Sequence, residues 1–315
     1  MSLRIVLFSA LILFVFPGVA LPFEGYVQSY SQNATLSWGT GEIVVPRVLA
    51  TQIGGDSSLS PLAVRKATSS ARKQLLDIIM SVRIDAKRTV SAYLSEDADL
   101  AARVRGAVQN SPLERPNVFG EEGEVRVSEH FRGKLAELVL PTTIQFQSGI
   151  PPKLSTSMEQ SMGYQGAVPE KAGSGSSYTG VIIDARGMKV TPALVPVVYG
   201  QDGVGAYGAF QVSRANAVEK GVVAYATAAD PALLRERVGA NPLTVRAVSA
   251  YGSWRTDILI TTPMANLVRA IMRTPELSEK CSVVVVISVP EDERDKVEEA
   301  GGVGSVQADL PAKDQ

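Results

Sequence analysis

The sequence holds one histidine, His130, and one cysteine, Cys281. Any Ser–His or Cys–His couple would have to use that single imidazole. One cysteine makes no intrachain disulfide framework, and one histidine excludes most His-based metal clusters. His130 falls in an alternating run in which Val125, Val127, Glu129 and Phe131 share one face, and Arg126, Ser128, His130 and Arg132 share the other. Period two places the imidazole on the polar side of a strand, and no nucleophile motif accompanies it. Cys281 directly precedes the apolar run Val283 to Val289. Nothing local is expected to lower the thiol pKa, so an inert buried thiol is expected. Glu121 and Glu122 sit in a Gly-flanked turn with no evident partner to shift a pKa. No catalytic residue, no metal ligand set and no cofactor is expected.

Two further features carry chemical content. Gly203, Gly205 and Gly208 spell G-x-G-x-x-G. A dinucleotide loop needs that pattern between a strand and a helix, so that the helix N-terminus meets the pyrophosphate. Here Gln201-Asp202-Gly203 reads as a turn, and Ala206 to Val212 reads as a strand behind it. Hairpin glycines are therefore expected. Asp184 and Arg186 close an apolar strand, Val181 to Ile183. They are the candidate ligand-binding residues, at a strand terminus. The competing structural role has the acid cap the turn while the arginine pairs with it or with Asp257.

The elements that must position these groups divide the chain. Its 315 residues suggest about two domains of 100–200 residues each. A 45% hydrophobic content supplies real cores. A net charge of −1 gives no global attraction to nucleic acid. Residues 1–20 read as a signal peptide: Arg4, an apolar run Ile5 to Phe16, then Pro17-Gly18 and small residues up to Ala20. Cleavage between Ala20 and Leu21 is expected, with no transmembrane segment afterwards, since that apolar run is short for a span of ~20 residues.

Residues 25–146 read as an N-terminal α+β module. It has short strands at Tyr26 to Tyr30, Ala34 to Trp38 and Glu42 to Val48. A helix from Pro61 to about Val82 follows, capped by Ser60, and then a helix over Asp97 to Gln109. The cations Arg65, Lys66, Arg72 and Lys73 fall off that first helix's apolar face and lack interleaved aromatics, so no nucleic-acid partner is expected. Residues 147–177, rich in Pro, Ser and Gly, read as a flexible linker. Residues 178–290 form a second α/β domain. Its extended runs are Ala193 to Tyr199, Val222 to Tyr225, Leu243 to Ala250, Asp257 to Thr261 and Val283 to Val289. Its helices begin at Ser213, Asp230-Pro231 and Thr262-Pro263. Residues 291–315 are acidic and then Gly- and Ala-rich, and read as a disordered tail. The fold class expected is α+β: two small α/β sandwich domains with mostly antiparallel sheets.

The run Tyr178-Thr179-Gly180-Val181-Ile182-Ile183-Asp184-Ala185-Arg186-Gly187, with Pro192-Ala193, Asp202-Gly203, Tyr207-Gly208, Asn241-Pro242-Leu243 and Thr256 to Ile260, resembles the LPP-twenty lipoprotein family. The module with the helix Ala63 to Val82 is similar to the N-terminal module of the flagellar assembly T protein. The chain departs from the lipoprotein pattern in lacking the lipid-attachment cysteine. The resemblance implies an exported envelope protein, periplasmic or secreted. Its expected partners are envelope proteins, among them flagellar basal-body or outer-membrane components, and it carries over no catalytic residue. The expectation is thus a non-enzymatic structural or assembly module. The alternative is a periplasmic module binding a small ligand at Asp184 and Arg186.

Overall fold

The structure is a computed structural model, and it describes residues 23, 25–30, 33–48, 61–114, 124–147, 150–154 and 178–289. The signal-peptide junction at Ala20 and Leu21, the Ser60 cap, the Glu121–Glu122 turn, most of the 147–177 connector and the 291–315 segment lie outside these residues.

The first sheet has five strands in the order β1 (Val27–Ser29), β2 (Thr35–Ser37), β3 (Glu42–Val48), β5 (Glu124–His130) and β4 (Leu113–Glu114). Every pair is antiparallel. The alternation in β5 does what period two requires: Val125 and Val127 are buried while Arg126 and His130 are exposed. Helix α1 (Pro61–Ser81) covers the apolar face, burying Ala71, Leu75, Ile78 and Ile79. Its cations Arg65, Lys66 and Lys73 lie exposed. Arg72 is half-buried and donates to the Ser111 carbonyl at 3.1 Å. Two short helices, α2 (Val90–Leu94) and α3 (Ala98–Gln109), pack beside α1. The Asp97 carboxylate caps α3 by accepting the Leu100 amide at 2.9 Å. Helix α4 (Lys134–Val139) follows β5.

The second sheet has seven strands in the order β8 (Gly205–Tyr207), β7 (Val198–Gly200), β11 (Asp257–Ile260), β10 (Pro242–Tyr251), β6 (Gly180–Asp184), β12 (Val283–Val286) and β9 (Ala224–Ala226). The α+β class stands, and this sheet is mixed. The β8–β7 and β11–β10 pairs are antiparallel, and the other four neighbours run parallel. Crossovers through α5 (Arg214–Lys220), α6 (Arg235–Val238), α7 (Thr262–Ile271) and α8 (Pro275–Lys280) make the parallel pairs reachable. Both β6 and β12 are buried at every position, as a strand with two parallel neighbours demands.

Two expected strands differ. The run Ala193 to Tyr199 is a strand only from Val198, because Pro192 and Pro196 donate no ladder bond. Its start serves the first domain instead: the amides of Leu194 and Val195 donate to the carbonyls of Arg83 and Ile84 at 3.0 and 2.7 Å. The run Ala206 to Val212 stops being a strand at Tyr207 and tightens into a 3-10 turn at Ala209–Gln211. There the Phe210 ring folds back over Gly205 and Gly208, where an added Cβ would meet it at about 3.0 Å.

The two sheets share one hydrophobic core. Tyr225 on the edge strand β9 is where they meet. Its carbonyl accepts the Tyr26 amide at 2.7 Å, and its own amide donates to the Trp38 carbonyl at 3.4 Å. Its ring meets Trp38 edge-on, 5.5 Å between centroids. Its hydroxyl accepts from the Ala193 amide and donates to the Ala193 carbonyl, both at 3.1 Å. The open edge of the second sheet is thus closed by the hairpin of the first, which removes a site of unwanted strand pairing. From the connector, Ile150 to Leu154 is described. Lys153 bridges Val204 beside β8, and Leu154 is buried against Tyr199 and Leu259.

Candidate functional site

The candidate residues Asp184 and Arg186 stand at the carboxyl end of β6, and the parallel register brings Arg246 of β10 directly opposite Asp184. The Asp184 side chain is 12% exposed. Arg186 clasps it side-on, Nε to Oδ1 and Nη2 to Oδ2, both at 2.9 Å, and the Arg186 amide also donates to Oδ1 at 3.2 Å. Arg246 donates from Nη1 to Oδ2 at 2.9 Å and from Nη2 to the Arg186 carbonyl at 3.0 Å. The Arg186 guanidinium holds the Asp184 carboxyl well below the usual carboxylate range; its amide and Arg246 add to this, and burial works against it. Asp184 is therefore a fixed anion with both oxygens occupied, a poor proton acceptor near neutral pH. What it does is hold two guanidiniums in one orientation. Their side chains remain 47% and 59% exposed.

The other chemistry-bearing groups are placed apart from this cluster. His130 lies exposed at the end of β5, opposite Glu42 of β3. Cys281 is buried, and burial pushes its thiol up even though Arg237, Lys220 and Arg132 pull the other way. Those cations are a local influence that sequence proximity does not reveal. Arg237 itself closes α5, donating to the Lys220 and Gly221 carbonyls at 2.7 and 2.8 Å, where the helix dipole is negative. Burial, with repulsion from Arg237, brings Arg132 down to about 10. Asp257 does not meet Arg186. It is 5% exposed, accepts the Val197 amide at 3.0 Å, and burial raises it to about 6. The G-x-G-x-x-G glycines lie in and behind the β7–β8 hairpin, ahead of a 3-10 turn rather than an α-helix. Among the described residues no group of three His, Cys, Asp or Glu side chains is placed to hold a metal ion, and no helix is long and apolar enough to cross a membrane.

Sequence reasoning missed Arg246 and the surface it belongs to. On β10, Leu243, Val245 and Ala247 face the shared core, and Thr244, Arg246 and Val248 face outward and are exposed. Helix α6 covers the same outer face over β6, β12 and β9 through Leu234 and Val238. Leu154, Tyr199, Leu259 and Tyr251 cover it over β7 and β11. Among the described residues nothing packs on the outward side of the central strand between these two covers. Val248, 41% exposed, stands on this open side.

The seven strands around this strip coincide with a family likeness. Residues 180–290 match the family model described as Treponema pallidum Tp0624, second domain. The match begins at Gly180 of β6 and ends just past β12, so it contains the whole second sheet and the Asp184–Arg186–Arg246 cluster. The Tp0624-like portion is about a third of the chain, and the first sheet and α1 fall outside it. No curated protein matches the chain.

Proposed function

We propose that the chain is a non-enzymatic exported envelope protein, periplasmic or secreted, acting as a structural or assembly module of an envelope complex. The observation that carries this reading is the bare strip on β10. A strand at the centre of a seven-stranded sheet presents Arg246 and Val248 to solvent between two covered flanks. Thr244, Arg246 and Val248 together offer a partner an open face with one apolar side chain among polar ones. The export-type leader supports the address. The LPP-twenty and flagellar assembly T resemblance supports association with flagellar or other surface machinery. The chemistry-bearing side chains, by contrast, are engaged in holding the fold: Asp184 in its arginine clasp, Cys281 under burial, Asp257 on a backbone amide.

A second reading, a periplasmic module for a small ligand at Asp184 and Arg186, is favoured by the exposed guanidiniums, two cations against one carboxylate. Deleting the gene and crosslinking the protein in cells tests the leading reading. The expected result is a crosslinked complex together with impaired motility or a leaky envelope in the deletion strain. Recovery as an uncrosslinked monomer, with both properties normal on deletion, would sink it.

A further inference from the structure

We infer that the bare strip of β10 docks an extended acidic segment of another protein, with carboxylates seated on Arg186 and Arg246 and an aliphatic side chain on Val248. The inference rests on the assembly reading and names the partner chemistry of that surface.

Charge complementarity selects the partner. Among the described residues, Asp184 is the one carboxylate paired with either guanidinium, so the cluster carries a surplus positive charge. A guanidinium has five N–H donors in a fixed fork. Asp184 commits Nε and Nη2 of Arg186, and Nη1 of Arg246, and thereby fixes both forks before a partner arrives. Such preorganisation lowers the ordering cost of binding. The geometry selects an extended chain over a small anion. Val248 stands two residues beyond Arg246 and is exposed like it, at the point where the β10–β11 register shifts by one residue. The two side chains make an elongated open strip, which an extended chain follows further than a small anion does. Thr244, on the other side of Arg246, continues the strip with a hydroxyl.

The test titrates the purified full chain with a fluorescein-labelled Glu-Val-Glu-Val-Glu-Val peptide, read by anisotropy at low salt. Saturable binding is expected, weakened about tenfold or more in Arg246→Gln and in Val248→Asp, since a lost charge-assisted contact is worth roughly 1.5–3 kcal/mol. Arg126→Gln, an exposed change on the first sheet, should bind as the parent does, and a peptide with Lys for Glu should not bind. Arg246→Gln also gives up the bonds to Asp184 and to the Arg186 carbonyl, so its unfolding midpoint falls, and the exposed Val248→Asp, which touches neither bond, is the variant that separates lost binding from lost stability.

Equal affinity across all variants would overturn the inference. So would full competition by glutarate with no effect of Val248→Asp, which would mark a small-anion site. Binding that appears only after removal of residues 290–315 would assign the strip to this chain's own acidic segment, Glu291 to Glu299, and also overturns it. A dimer seen by light scattering and dissolved by Val248→Asp would assign it to a second copy. Should the peptide bind as expected while deletion leaves the envelope intact, the surface stands and the assembly reading falls.

Discussion

Gly39→Val is expected to cost about 3 kcal/mol or more of unfolding free energy, because the added side chain has backbone on its open side. A Cβ at Gly39 would lie 2.7 Å from the Gly25 α-carbon and 2.7 Å from the Phe23 ring. Phe23 packs against the second sheet's outer cluster. Moving this point therefore disturbs the start of β1 and both bonds that tie Tyr26 and Trp38 to Tyr225. A companion change, Tyr225→Phe, keeps the ring on Trp38 and removes only the hydroxyl. It leaves the Ala193 amide and carbonyl short of a partner in a buried place, at about 1–3 kcal/mol for each unsatisfied group. Urea unfolding measures both. The midpoint should fall in each variant, with the wild-type slope retained if the sheets unfold as one unit. Two unchanged midpoints would mean that the sheets do not meet at Tyr225.

Asp257→Asn is expected to stabilise the protein near neutral pH. Burial is the main cause that raises the Asp257 carboxyl to about 6; the Val197 amide opposes it, the neighbouring Asp85 charge adds to it and Lys87 opposes it. A carboxyl raised in the folded state binds its proton more tightly there than in the unfolded chain. Its contribution is therefore fully present below the unfolded value of about 4 and is lost as pH rises through about 6. A shift of about two units corresponds to roughly 3 kcal/mol, taken as an order of magnitude. Asparagine keeps an acceptor for the Val197 amide and carries no charge. The stability gap between Asp257→Asn and the parent should therefore widen from pH 4 to pH 7 and then level off. Urea midpoints at several pH values check the sign. A gap that is flat across that range, or that narrows, would contradict the account.

Much of the fold is legible in the sequence because local rules govern it. Alternation placed His130 on the wet face of β5, Pro61 opened α1, and Ser213 opened α5. The β-branched run at Val283 marked a doubly covered strand. What was not legible depends on pairing between distant segments. Arg246 lies 62 residues from Asp184 and meets it only through the parallel register of β6 and β10. The role of Tyr225 depends on where the first sheet's hairpin ends. The Phe210 run has strand-like composition, yet its ring packs on two glycines and bends the chain into a 3-10 turn. In the candidate site, Asp184 and Arg186 were visible as neighbours at a strand end, and their mutual clasp is a local bond. The bare strip was invisible, because Thr244, Arg246 and Val248 alternate as any edge strand would, and only the strand order makes them central.

The central claim is that this strip is the surface by which the protein joins its complex. The most direct measurement places a photoactivatable benzoyl-phenylalanine at Val248, and separately at Leu62, in otherwise intact chains in living cells. Leu62 is the more exposed of the two, 76% against 41%, and lies on α1 of the first domain. The account predicts a discrete, light-dependent adduct from position 248, abolished by adding Arg246→Gln, and none from position 62. Adducts of equal yield from both positions, or an adduct from 248 that survives Arg246→Gln, would contradict it.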